Sequence, residues 1–380
     1  MHVEILTIAE ALKAPHLPLA ELMARACVKR TAHWGETITY SRKVFVPLTN
    51  MCRDTCTYCS FVKTPDDPAA NYMTPAQVLA TARQGEATGC KELLFSLGER
   101  PELRYPEAAA ALEKLGYEST NDYLRAMCEL VLAETTLLPH VNAGTLTDAE
   151  IDMLKPVSAS MGMMLETISR RLTRKGMPHH ACPDKTPVQR LRTLERTGAR
   201  GVPFTTGLLI GIGETWEERV ESLAAINAAH ARHGHIQEVI IQNFQQKPGI
   251  GMANHPEPGL EDMLRTLSVA RLMLAPEISL QAPPNLSSRH AEYLKAGMND
   301  WGGISPVTVD FINPDHAWPQ IDDLAAATAQ AGLTLQERLT IYPDFLRRSD
   351  RFLDPSLTAR LADMARADGF ARVQCLGATP

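Results

Sequence analysis

The chain is predicted to fold as an α/β protein: a partial TIM-type (βα)6 parallel barrel with N- and C-terminal extensions. Three observations predict it. Apolar, β-branched runs alternate with helical patterns six times along the chain, the arrangement of a parallel sheet joined by crossover helices. Five of the apolar runs end in polar or glycine-rich sequence, as strands do whose C-terminal ends share one functional face. No low-complexity linker and no repeat beyond the βα unit divides the 380 residues, and barrels of this kind routinely exceed ordinary domain size.

The elements follow in order. Residues 1–40 read as a helical N-terminal extension. The barrel core, 41–276, opens with a strand at Lys43 to Leu48, followed by Glu92 to Leu97, Leu137 to Asn142, Val157 to Leu165, Val202 to Ile210 and Ile236 to Phe244. Helices are expected at Thr74 to Thr88, Asp122 to Glu134, Pro187 to Thr197, Trp216 to Ala231 and Glu261 to Leu274. Thr74, Pro75 and Gln77 supply an N-cap, a first-turn proline and a capping-box partner. From 277 to 380 the pattern becomes irregular and reads as a C-terminal extension packed on the barrel.

Composition narrows the function. A content of 44% hydrophobic and 22% charged residues is that of an ordinary globular protein. The net charge of −6 and the lack of a lysine- and arginine-rich run argue against a nucleic-acid partner. The N-terminus does not read as a secretory signal, and no apolar run reaches membrane-spanning length. Eight irregularly spaced cysteines suit free thiols in a reducing cytoplasm. Cys27, Cys90 and Cys128 read as small buried hydrophobes.

The chemistry concentrates in Cys52, Cys56 and Cys59, three thiols within eight residues just after the first strand. Three thiolates hold three irons of a [4Fe-4S] cluster, and the fourth iron is left for another ligand. A structural zinc site is the alternative, but it needs a fourth ligand from a second knuckle. Cys90, Cys128, Cys182 and Cys375 stand singly, and no His-x-x-x-His follows.

The spacing Cys52-x-x-x-Cys56-x-x-Cys59, with Tyr58 before the last cysteine, resembles the radical S-adenosylmethionine (SAM) superfamily. The resemblance implies that SAM chelates the open iron and is cleaved to a 5′-deoxyadenosyl radical that takes a hydrogen atom from substrate. It also implies SAM-binding roles, position by position. Gly98 and Glu99 resemble the glycine–glutamate motif for the amino group, with Leu97 replacing its first glycine. Glu166 resembles the acid that holds the ribose, and Arg190 the arginine that pairs with the carboxylate. Gly211 and Ile212 resemble the fifth-strand motif along the adenine, and Tyr58 lies within the cluster loop. A run of blocks from Val46 to Pro343, including Phe95 to Pro101, Cys182 to Lys185, Gln281 to Asn285 and Asp300 to Gly303, is similar to the CofG-type Fo synthase family, where Fo is 7,8-didemethyl-8-hydroxy-5-deazariboflavin.

Membership would imply closure of the deazaflavin ring system on a hydroxybenzyl adduct of 5-amino-6-ribitylaminouracil delivered by a CofH-type partner. A flavodoxin or ferredoxin would supply the electron, since no second cysteine set could carry an auxiliary cluster. Another radical SAM enzyme on an aromatic precursor, or a non-catalytic iron–sulfur or zinc protein, are the rivals. For the substrate wall the strand ends offer His140, Asn142, Ser158, Ser160, Thr206, Gln242 and Asn243. The loop from Pro178 to Lys185 could handle a proton. Trp301 and Trp318 are expected to cap the barrel rather than touch a ligand.

Overall fold

The computed structural model describes residues 5–372; Cys375 lies outside them. Nine strands are described: β1 Thr37–Pro47, β2 Glu92–Ser96, β3 Leu138–Asn142, β4 Ser160–Gly162, β5 Phe204–Ile210, β6 Ile236–Asn243, β7 Ser279–Gln281, β8 Asp300–Ile304 and β9 Thr334–Glu337. They run in the order β2-β3-β4-β5-β6-β7-β8-β1-β9, and a further β1–β2 pairing closes the first eight into a ring. Every ladder is parallel. The expected parallel barrel is present with all six of its strands, and two more complete it.

Those two strands lie in the stretch read as a C-terminal extension from residue 277, so the barrel runs on to Ile304. The reason they escaped the sequence pattern is physical. β7 is three residues long and is followed within two positions by Pro283, while β8 contains Gly302 and Gly303. The connection between them is a 3-10 helix, His290–Ala296, instead of an amphipathic α-helix. At the other end, β1 begins at Thr37, inside the segment expected to be wholly helical.

β1 is the longest strand and serves three partners. Lys43 to Pro47 pair with β2, Thr39 to Arg42 with β8, and Thr37 to Tyr40 with β9 on the edge that β2 takes up further along. Between Thr39 and Ser41 the β8 register shifts by an extra residue, a bulge containing Gly302 at φ +74°, the left-handed conformation that glycine adopts without penalty. At the next interface, Gly207 lets β5 close on β6, because a Cβ there would sit 2.2 Å from the Ile240 carbonyl oxygen.

Helices surround the ring. Pro75–Ala87 carries the expected capping box, with Thr74 and Gln77 bonding each other's backbone N–H; Thr147 with Glu150 and Thr215 with Glu218 repeat the device. The N-terminal helix Leu19–Trp34 is tied to the helix Leu260–Met273, with Lys29 Nζ donating to the carbonyls of Leu272 and Leu274 at 2.9 and 2.8 Å. The helices Pro343–Leu346, Ser349–Phe352 and Pro355–Met364 form a second apolar cluster with Leu138, Ala159 and Leu339.

The segment preceding those helices plugs the barrel at the strands' N-terminal ends. Arg338 donates to both Asp300 oxygens, at 2.6 and 3.0 Å, and to Glu238 at 3.3 Å. The Tyr342 hydroxyl reaches Asp300 at 3.0 Å, and Thr340 bonds Ser160 and His140. Buried charges are tolerated here because each has partners.

Candidate active site

The cysteine loop leaves the C-terminal end of β1 and turns back over the barrel mouth. Thr49 and Met51 anchor it through isolated bridges to Tyr72 and Lys63. Cys52 Sγ accepts the backbone N–H of Glu99 at 3.1 Å and of Asp54 at 3.4 Å. Gly98 is obligatory at this contact: a Cβ would lie 1.9 Å from the Met51 carbonyl oxygen and 2.8 Å from Cys52 Cβ. Cys52, Cys56 and Cys59 together line one cavity of about 250 Å³. Burial pushes the Cys52 thiol up to about 12, so a metal must displace the proton for thiolate ligation.

The three thiols do not converge as donors to a single ion would. Among the described residues, the metal-capable atoms that all lie within 4.8 Å of one another belong to Asp54, Glu99 and Asp184. Ligands to irons at separate corners of a cubane need not converge on one point. Cys182 is close by: its Sγ accepts the Thr55 N–H at 3.3 Å, and its hydrogen bond with Cys56, together with burial, holds the Cys56 thiol well above its ordinary value. It does not line the cavity.

Acids and bases face the thiols across this outer chamber. Glu99 accepts the backbone N–H and hydroxyl of Thr145 at 2.5 and 2.7 Å and meets Arg190 Nη2 at 3.3 Å. Arg190 is 3% exposed and also donates to the carbonyls of Asp184 and Met164, so it is a buried guanidinium and not a solvated helix residue. Glu166 stands at φ +64° and accepts from Lys185 at 2.6 Å and from the Tyr58 hydroxyl, with His179 Nε2 at 3.0 Å. Burial opposes its ionisation, but Lys185, His179 and Arg190 together hold its carboxyl well below the usual range. Arg53 pairs with Asp184. Asp54 is left with Oδ2 buried and unpartnered, and burial and the nearby Glu99 push its pKa up to about 7.

A second cavity of about 190 Å³ continues inward, sharing Ser96, Asn142, Met163, Met164 and Gln242 with the first. Its wall includes Lys43, His140, Thr205, Glu238, Gln281 and Trp318. Trp318 stacks on Phe45, ring centroids 5.3 Å apart and planes 3° from parallel. His140 Nδ1 is 2.7 Å from Ser160 Oγ, and burial lowers the ring's pKa to about 4, so it stands neutral.

The sequence-derived residues divide accordingly. Cys52, Cys56, Tyr58, Cys59, Gly98, Glu99, Glu166 and Arg190 line the outer chamber together with Asn243, Asn142 and Gln242 line both, and His140 lines the inner one. Five residues line neither. Gly211 and Ile212 have their N–H groups capped by the Glu214 carboxylate at 2.8 and 2.9 Å, and Ile212 packs behind the wall with Tyr58, Leu209 and Phe244. Ser158 and Ser160 are corrected as wall residues. β4 spans only Ser160–Gly162, so both lie at its N-terminal end, where Ser158 bonds the Leu154 carbonyl and Ser160 bonds Thr340. Thr206 points away and accepts the Leu165 N–H, while its neighbour Thr205 faces the chamber, because adjacent strand residues face opposite sides.

Trp301 is fully buried, bonds Thr328 on the surrounding helix Ile321–Gln330 and lines neither cavity; Trp318, expected to cap the barrel, forms part of the inner wall. Sequence reasoning passed over Lys43, Glu238 and Gln281. A lysine and a glutamate on β-branched runs carried no motif, although a charged residue inside an otherwise apolar barrel strand is itself a signal.

This geometry, three thiols beside a buried acid–arginine array at the mouth of a parallel barrel, fits one class. A family profile described as the Radical SAM superfamily matches residues 46–226, and the chain belongs to the radical SAM superfamily, whose cofactors are a [4Fe-4S] cluster and SAM. Within it the chain belongs to the Fo synthase family. It is 48% identical over 337 residues to the 7,8-didemethyl-8-hydroxy-5-deazariboflavin synthase of Methanopyrus kandleri, covering 88% of this chain and 100% of that one. It is 49% identical over 348 residues to the FO synthase of Nocardia farcinica, covering 90% of this chain and 40% of that one; the chain thus spans about two fifths of that relative's length. The hydrogenase maturase HydG from Carboxydothermus hydrogenoformans shares the fold, with a TM-score of 0.73 at 17% identity over 95% of this chain and 82% of that one. No helix among the described residues is long and apolar enough to cross a membrane.

Proposed function

We propose that the chain catalyses the cyclising, ammonia-releasing step that forms the 8-hydroxy-5-deazaflavin chromophore Fo from a 5-amino-5-(4-hydroxybenzyl)-6-(ribitylimino)uracil adduct, a carbon–nitrogen lyase reaction of coenzyme F-420 biosynthesis. The observation that carries the reading is the adjacency of the two chambers: the cavity with the cysteines shares Asn142, Met163 and Gln242 with one that has polar groups and an aromatic wall. A neutral molecule, polar along its ribityl chain and aromatic at its phenol, suits such a lining better than a strongly charged one. The whole-length identity to the Methanopyrus kandleri relative of that name supports it.

When bound, the cluster and SAM would supply hydrogen-atom abstraction from the benzylic carbon of the adduct. The residues bind and orient. Cys52, Cys56 and Cys59 are the thiolate ligands. Glu99 and the unpartnered Asp54 oxygen would accept from the SAM ammonium, Arg190 would meet the carboxylate with the N–H groups not given to Asp184, Met164 and Glu99, and Glu166 with Tyr58 would receive the ribose. His140, held neutral by burial, resists protonation and faces the inner chamber as a hydrogen-bonding wall group. A CofH-type synthase delivers the adduct, a flavodoxin or ferredoxin delivers the electron, and the reaction takes place in the cytoplasm.

Anaerobic reconstitution with iron, sulfide, SAM, dithionite and the adduct tests this. The expected result is adduct-dependent 5′-deoxyadenosine together with fluorescent Fo. Cys56→Ala abolishes both while circular dichroism shows an intact barrel. 5′-Deoxyadenosine formed at the same rate with and without the adduct would remove the substrate assignment, and turnover in Cys56→Ala would remove the ligand assignment.

A further inference from the structure

Two successive glycines of β8 have a purpose in the inner chamber. A Cβ on Gly303 would fall 1.9 Å from Lys43 Cε and 2.7 Å from its Nζ; a Cβ on Gly302 would fall 2.3 Å from Gln281 Nε2. Neighbouring positions on a regular strand face opposite sides, but the bulge at this point, with Gly302 at φ +74°, lets both open onto long polar side chains that line the same cavity. We propose that Gln281 and Lys43, seated over this glycine pair, recognise the dione edge of a pyrimidine ring.

The inference rests on the proposed function and deepens it by assigning the substrate's ring to particular side chains. Gln281 is 6% exposed, and its Oε1 is buried without a hydrogen-bond partner, a state that buried amides rarely keep unless a ligand completes them. In either orientation of the amide, Gln281 offers one acceptor and one donor. Lys43 Nζ spends one hydrogen on Glu92 Oε1 at 2.7 Å and has two more to give. The set is donor–acceptor–donor, complementary to the carbonyl, imide N–H and carbonyl of a pyrimidine-2,4-dione. An anionic ligand would instead set its charge against the Glu238 carboxylate in the same chamber. The stacked Phe45 and Trp318 rings give a flat heterocycle an aromatic surface beside these groups, with Lys43 Nζ 6.0 Å from the Phe45 ring centre.

The test uses the reconstituted holoenzyme without reductant, so that nothing turns over, titrated with Fo and followed by Fo fluorescence. Fo keeps the dione edge, and its N3-methyl derivative lacks the imide N–H. Wild-type protein is expected to bind the methylated probe roughly 10- to 100-fold more weakly than Fo. Gln281→Leu is expected to weaken Fo binding by a similar factor and to bind the two probes alike. Lys43 is left in place, because its loss would strand the buried Glu92. Equal wild-type affinity for both probes, or undiminished Fo binding by Gln281→Leu, overturns the inference and leaves the proposed reaction standing. Failure of the wild-type protein to bind Fo at all overturns both. If Gln281→Leu does not fold, the methylated probe on wild-type protein decides the matter.

Discussion

Gly98 shows how much a single residue can carry when backbone passes within contact distance of a site. The sequence pointed to it through a glutamate motif, and its neighbour Leu97 broke the pattern; the structure gives a reason independent of motif, since any side chain at 98 would collide with the loop that bears Cys52. Gly98→Ala is therefore expected to reduce iron and sulfide incorporation several-fold while the barrel's far-ultraviolet spectrum stays unchanged. Full cluster loading in that variant would show that the loop has room the contact distances deny. Most residues with a motif were legible in this way: the cysteines, Tyr58, Glu99, Glu166 and Arg190 all face one chamber, whereas Gly211 and Ile212 of the fifth-strand motif do not. Lys43 and Gln281 were not, because what makes them notable is the empty space left by Gly302 and Gly303, two positions on another strand.

Strand parity and strand length account for the misplacements among elements. Thr205 and Thr206 are equally good candidates as letters; only the register of β5 decides that the first faces inward. β4 was read as nine residues and is three, since the turn Lys155–Val157 precedes it and the left-handed Glu166 follows soon after. β7 and β8 had no helix of the usual kind between them to announce them. What holds that irregular connection is Arg271, on the helix Leu260–Met273. It is fully buried and donates to the Gly297 carbonyl at 2.9 Å, the Ile278 carbonyl at 3.0 Å and the Asn299 side chain. Burial, with Arg30 nearby, lowers its pKa to about 9, so it remains charged at neutral pH. Arg271→Leu leaves those acceptors unsatisfied, and the expected loss is about 3 kcal/mol in urea unfolding. An unchanged urea midpoint would mean that water replaces the guanidinium at no cost.

For the molecule as a whole, buried histidines set the acid limit. Burial lowers His140 to about 4 and His235 to about 3, whereas both titrate near 6.5 in the unfolded chain. The unfolded state therefore binds more protons below about pH 6.5. The stability these rings confer is complete above that value and declines as pH falls toward 4 and then 3, by about 1.4 kcal/mol per pH unit for each ring. Cluster-free protein is expected to show a urea midpoint that falls between pH 6 and 5, the loss from the two rings exceeding the opposing gain from Asp54, whose raised pKa favours the folded state as pH drops. A level midpoint down to pH 5 would show that these rings gain protons inside the fold.

The plug at the barrel's foot bears on how the molecule comes into being. β1 is made before β8 and β9, which flank it on either edge, and Asp300 and Glu238 are bonded by Arg338, later still in the chain. A nascent chain cannot close the ring before Ile304, or neutralise its centre before Arg338, has been made. Closure therefore waits on β8 and the plug, and a chain that stops short of them exposes both an open sheet and an unpaired charge, the features by which a cell's quality control distinguishes unfinished protein from finished.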